Sequence, residues 1–203
     1  MAKKTCAFIR VVQSNNGWTQ PCGLDYGRGN HFASTSGFGF EEWMNAKSMQ
    51  LDDSSRRLIH IEAFRLGFNP NKINNGVLYL WVYDRQVRKK YIVGVIKKYE
   101  VIERDEVHNI INHKNTLNVL KDEIIQSKLL GQEIKDKALT EIEWKLKNPK
   151  EYKFNLVVED KDIKILRPED WIELPGNVFR HNRFVAHYNL NEELRQFIEE
   201  QNI

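Results

Sequence analysis

Val77–Tyr83 reads VLYLWVY, and Lys90–Ile102 reads KYIVGVIKKYEVI. The first run is apolar, aromatic and β-branched throughout, the pattern of a strand covered on both faces. The second has similar character and follows a polar, basic stretch at Asp84–Lys90, so the two runs predict a β-hairpin. Gly94, in the middle of the returning run, predicts a bulge or a close approach of another backbone.

Strand patterns continue on either side. Cys6–Gln13, CAFIRVVQ, reads as a buried strand that the turn formers Ser14–Gly17 terminate. Arg56–Leu66, RRLIHIEAFRL, reads as a strand or a short amphipathic helix, its alternation favouring the strand, and stops at Gly67–Pro70. Lys153–Val158, Asp162–Leu166 and Asn182–Leu190 are further strands, and a short helix with Asn191 as its N-cap closes the chain. Residues 103–149 differ in kind. Val107, Ile110 and Ile111, then Leu117, Leu120 and Ile124, then Leu139 and Ile142 recur at helical spacing. They predict amphipathic helices broken near His113 and Gly131. The economical arrangement is an α+β fold, a small and mostly antiparallel β-barrel forming one domain over 1–203, with a helical insertion and flanking helices.

Gly17–Asn45, GWTQPCGLDYGRGNHFASTSGFGFEEWMN, is rich in glycine and aromatics and has no hydrophobic period. Long loops inside compact domains are usually functional or disordered, and disordered ones are poor in aromatics. The stretch therefore predicts an ordered, site-forming loop, ending in a short helix with Glu41 and Glu42 in its first turn.

The composition is that of an ordinary globular protein, 41% hydrophobic and 29% charged, with a formal net charge of +3. No apolar run approaches the length of a membrane span. MAKKTCAFIR has no apolar core fit for a signal peptide, so a cytoplasmic protein is expected. Cys6 and Cys22 read as reduced thiols, and with His31 they lack the paired spacing of a zinc site.

Signatures of catalysis are thin. There is no P-loop, no dinucleotide fingerprint, no nucleophile elbow and no paired-cysteine deaminase motif. Glu159, Asp160, Asp162 and Lys164 look like fragments of a magnesium-binding nuclease cluster, but a solvated turn is the preferred reading. The expectation is a protein with no catalytic residues, cofactor or metal. A metal-dependent nuclease using Glu41, Glu42 or the Glu159–Asp162 cluster is the alternative, as is a protein-interaction module using the helices of 103–149.

Binding chemistry is better supplied. Trp18, Phe38, Gly39, Glu41 and Trp43 on the loop, with Trp81 on the central strand, are the candidate ligand-binding residues. Aromatic faces can clamp a base, and glycines let the backbone read its edge. The same rings also suit a plain core, Trp81 and Phe40 most of all. Arg85, Arg88, Lys89 and Lys90 in the hairpin turn, and Arg180 and Arg183 near the end, are candidate contacts to a nucleic-acid backbone. The expected partner is nucleic acid, DNA rather than RNA, and no membrane.

The strings GWTQPCG, GFGFEEWMN, YIVGVIKKYEVI, YKFNLVVEDKDIKILRPEDW and NRFVAHY together resemble a bacterial domain of restriction-type proteins that commonly precedes an HNH nuclease. The hairpin is also similar to barrel strands of the PUA-like superfamily, which includes the EVE, ASCH and YTH groups. The resemblance implies a PUA-like barrel that reads a base, modified bases included, in bacterial defence. No HNH string follows within the chain. A stand-alone reader, one domain of a larger protein, and a reader with a separate nuclease partner are all compatible with that.

Overall fold

The computed structural model describes residues 6–27, 32–51, 55–61, 76–102, 113–148, 155–176, 179, 192–201 and 203. The fold is α+β. It divides into two compact units, one within Met1–Val11, Glu62–Tyr99 and Val158–Ile203, the other within Val12–Ile61 and Glu100–Val157.

The first unit is built on the predicted hairpin. Strands β3 (Val77–Asp84) and β4 (Lys89–Ile96) pair antiparallel down to Asp84 opposite Lys89. β1 (Cys6–Arg10) runs parallel to β3, Cys6 opposite Val77 and Arg10 opposite Trp81. β7 (Ile163–Ile165) and β8 (Ile172–Glu173) both pair antiparallel with β4. With neighbours on each side, β3 buries Leu78, Leu80 and Val82 as completely as Trp81.

Gly94 meets both of its sequence expectations. Gly94 faces Leu80, but Trp81 faces Ile92, so Val93 is the extra residue of a bulge. A Cβ at Gly94 would lie 2.8 Å from the Lys164 carbonyl oxygen on β7. The core of this unit stacks Phe8 on Tyr79 and sets Phe179 edge-on to Trp81. Helix α4 (Glu192–Glu200) packs Leu194 and Ile198, one turn apart, into the same cluster.

A three-stranded sheet has the order β2 (Arg56–Ile59), β6 (Leu156–Glu159) and β5 (Glu100–Val101), with β2, β5 and the Leu156–Val157 start of β6 in the second unit. Asn155, just before β6, donates from its side chain to the Ile61 carbonyl and accepts from the Ile61 N–H. The helical section holds α2 (His113–Gln126) and α3 (Gln132–Lys147), separated at the expected break near Gly131. Their apolar stripes, Leu117, Leu120 and Ile124 on one and Ala138 and Ile142 on the other, enter one core with Phe38, Phe40 and Trp43. Lys145 is buried too; it pairs with Glu141 at 2.9 Å and lies over the Phe32 and Phe40 rings.

The strands close no barrel among the described residues, and one strand pair, β1 with β3, is parallel. The expected strand at Asn182–Leu190, the Asn191 cap and the first helical stretch from Val107 to Ile111 lie outside the described residues. No described helix is long and apolar enough to cross a membrane.

Candidate functional site

The turn between β3 and β4 is organised by Asp84. Its Oδ1 accepts from the backbone N–H of Gln86 at 2.8 Å and of Val87 at 3.3 Å. This Asx turn presents Arg85 and Arg88 at the open end of the sheet. Arg88 sits in the left-handed region at φ 57°, a conformation that hairpin turns usually give to glycine or asparagine.

Two further segments converge there. The parallel pairing of β1 brings Arg10, its last residue, beside the hairpin, with the guanidinium 5.6 Å above the Trp81 ring. Pairing of β8 opposite Tyr91 and Ile92 brings up Glu173, which bonds Lys89 at 2.6 Å. The chain beyond β8 then turns back, and the Lys90 ammonium donates to the Phe179 carbonyl oxygen at 3.0 Å. Burial, with Arg10 as a like charge beside it, pushes the Lys90 pKa below its ordinary value. Glu173 has the opposite effect on Lys89, whose pKa is raised by their hydrogen bond and attraction.

These groups surround a cavity of about 590 Å³, lined by Arg10, Arg85, Arg88, Lys89 and Lys90 with Tyr83, Glu173, Leu174 and Gly176. Among the described residues, five cations and one carboxylate give the lining a formal charge of +4. A concavity in which cations outnumber acids raises the local concentration of anions, so it is suited to an anion carrying more than one charge.

The four candidate phosphate contacts of the turn, Arg85, Arg88, Lys89 and Lys90, are thus brought together. Arg180 and Arg183 lie outside the described residues. Sequence reading places Tyr83 beside Trp81 among the aromatics of the central strand, but it missed Arg10 and Glu173. Arg10 and Glu173 arrive through strand pairings that no local pattern announces.

The aromatic loop has a different character. Within it fold α1 (Phe32–Ser36) and a 3₁₀ turn at Phe40–Trp43 with Glu41 and Glu42 at its start. Trp18, Phe38 and Trp43 are each wholly buried in the second unit. The Trp18 indole N–H donates to the Val12 carbonyl at 3.0 Å, and that of Trp43 donates to Glu123. Trp18 holds φ at 61°, an unusual backbone for a bulky residue, pinned by its N–H on Ser14 Oγ and its carbonyl on the Asn45 N–H. Trp81 is equally buried, but in the first unit. None of these rings lines the cationic cavity.

Glu41 and Glu42, the carboxylates that suggested a nuclease, are buried as well. Glu41 accepts from the Val12 N–H. Glu42 accepts from the Gly39 N–H at 2.7 Å through one oxygen, and through the other from the Cys22 N–H at 2.8 Å and thiol at 3.2 Å. Burial lifts the Glu42 pKa to about 7 against the pull of these donors. Burial, and then the Glu42 charge, lift the Cys22 thiol to about 12. That sulfur stays protonated and unreactive at neutral pH. Cys6 is also a free thiol but belongs to the first unit, and no group of His, Cys, Asp and Glu suited to a metal ion occurs among the described residues.

No protein-family model matches the chain, and no curated protein or solved structure is significantly similar to it.

Proposed function

We propose that the protein is a nucleic-acid-binding module that contacts phosphates through the cationic cavity of its first unit. The observation that carries this is the convergence of five cations from β1, the turn and β4 on one concavity that holds a single acid among the described residues. Nucleic-acid affinity is dominated by such contacts, through the counterions they release. DNA, a modified base and a setting in bacterial defence are favoured by the resemblance of the sequence strings to restriction-type domains. The same resemblance favours reading the mixed sheet of the first unit as part of a PUA-like barrel, and the bulge at Val93 is a device that curves a sheet. The partner nuclease, if separate, is supplied by another chain.

Fluorescence anisotropy tests the proposal with matched duplexes, with and without a modified cytosine or adenine, at a series of salt concentrations. Binding should weaken steeply with salt. Charge reversal at Arg85 and Arg88 should lower the slope of log K against log salt by roughly 0.9 for each phosphate that is no longer neutralised. An unchanged slope in a folded double variant removes this cavity as the phosphate site. Affinity indifferent to the modification removes the base-reading role and leaves backbone binding.

A further inference from the structure

The cationic cavity presents more positive charge than one internal phosphodiester can neutralise. Among the described residues its lining carries a formal +4 around about 590 Å³. An internal phosphodiester brings a single negative charge. A terminal phosphate monoester brings about −1.5 to −2 at neutral pH and three acceptor oxygens at one point. Di- and triphosphates bring more. The volume is that of a small-ligand pocket, within the usual range of roughly 300–1,000 Å³, and can hold one nucleotide. Tyr83, half-buried against the core of the unit, is the aromatic side chain of the wall beside which a base would lie.

The backbone of the turn points the same way. Arg88 holds the left-handed conformation at φ 57°, where glycine would sit without strain. A guanidinium retained in a sparsely populated conformation at the mouth of an anion-friendly cavity is the pattern of a binding residue kept at a cost in stability. Resting on the nucleic-acid reading above, we infer that the cavity takes the phosphorylated end of a nucleotide. The source is either the 5′-terminal phosphate of a strand or the phosphates of a free nucleotide. Arg88 and Arg85 grip the terminal group, and Tyr83 faces the base.

The experiment uses the full chain and short single strands labelled at the 3′ end, carrying either a 5′-phosphate or a 5′-hydroxyl, read by anisotropy. Binding of ADP is measured in parallel by calorimetry. The 5′-phosphorylated strand should bind about ten-fold tighter or more, the effect of added charge-assisted hydrogen bonds. Arg88→Gly should lose this preference while its Tm stays level or rises. Arg85→Gln, free of any backbone effect, should weaken the preference as well. Displacement of the strand by ADP would assign the site to nucleotides generally, and no displacement to strand ends; both support the inference. Equal affinity for the two strands overturns end recognition and leaves nucleic-acid binding standing. ADP binding with no strand binding supports the nucleotide pocket and overturns the nucleic-acid module. Binding of none of them overturns both. A lower Tm in Arg88→Gly overturns the view that Arg88 is held there at a cost.

Discussion

Replacing Glu42 by Gln should remove a pH dependence from the stability of the second unit. Glu42 is only 3% exposed, and burial lifts its pKa from the ordinary 4.5 to about 7, with Asp25 adding a small repulsion. A folded pKa above the unfolded one means that the native state holds the proton more tightly. The resulting stabilisation is complete below about pH 4.5 and is lost as the pH rises through about 7. At about 1.4 kcal/mol per pH unit, that interval is worth roughly 3 kcal/mol. Cys22 does not blur the result, because its thiol titrates only near 12. Gln carries no charge to desolvate, but its amide cannot accept from both the Cys22 and Gly39 N–H groups, which costs about 1–3 kcal/mol at low pH. The variant should therefore be the less stable protein at pH 5 and close most of the gap at pH 8. Urea unfolding of both proteins at the two pH values, followed by tryptophan fluorescence, measures this. A wild type that falls by roughly 2–3 kcal/mol more than Glu42→Gln between them confirms the buried acid. Equal falls in the two proteins refute it.

Trp18→Ala and Trp43→Ala should each cost about 3–5 kcal/mol, because both rings are buried in full and each indole N–H is hydrogen-bonded. Denaturant melts check this, and wild-type stability with weakened ligand affinity would instead make these rings binding residues. Gly94→Ala should destabilise the first unit by roughly 1–3 kcal/mol, since the new methyl would press on the Lys164 carbonyl and force β7 away from β4. A thermal melt unchanged from wild type would show that β7 yields at no cost.

Much of the framework was legible in the chain. The β3–β4 hairpin, the bulge at Gly94, the strands at β1, β2, β6 and β7 and the helix break near Gly131 follow from patterns of two, three or four residues. Such patterns reflect contacts a residue makes with its own element, so they can be read locally. The same holds for the basic turn, where Arg85, Arg88, Lys89 and Lys90 are near neighbours in sequence.

The aromatic loop shows the limit. Glycines interleaved with Trp and Phe look alike whether they wall a binding pocket or fill a core, because either use needs flat apolar rings and close backbones. Only the arrival of Leu117, Leu120 and Ile142 from the distant helices puts Phe38 and Trp43 inside. The buried Glu42 was hidden for a similar reason. Two adjacent acids read as the first turn of a helix, and nothing local announces that backbone N–H groups from Cys22 and Gly39 replace the water around Glu42.

By itself, then, the sequence determined the α+β class, the hairpin and a cluster of positive charge at its turn, all consequences of short-range periodicity and turn chemistry. Tertiary structure decided what that charge encloses. The parallel pairing of β1 with β3 carried Arg10 to the turn from far away in the chain, and β8 brought Glu173 against Lys89. Strand partners are chosen by which apolar faces bury one another across the whole fold, and no local run of residues encodes that choice.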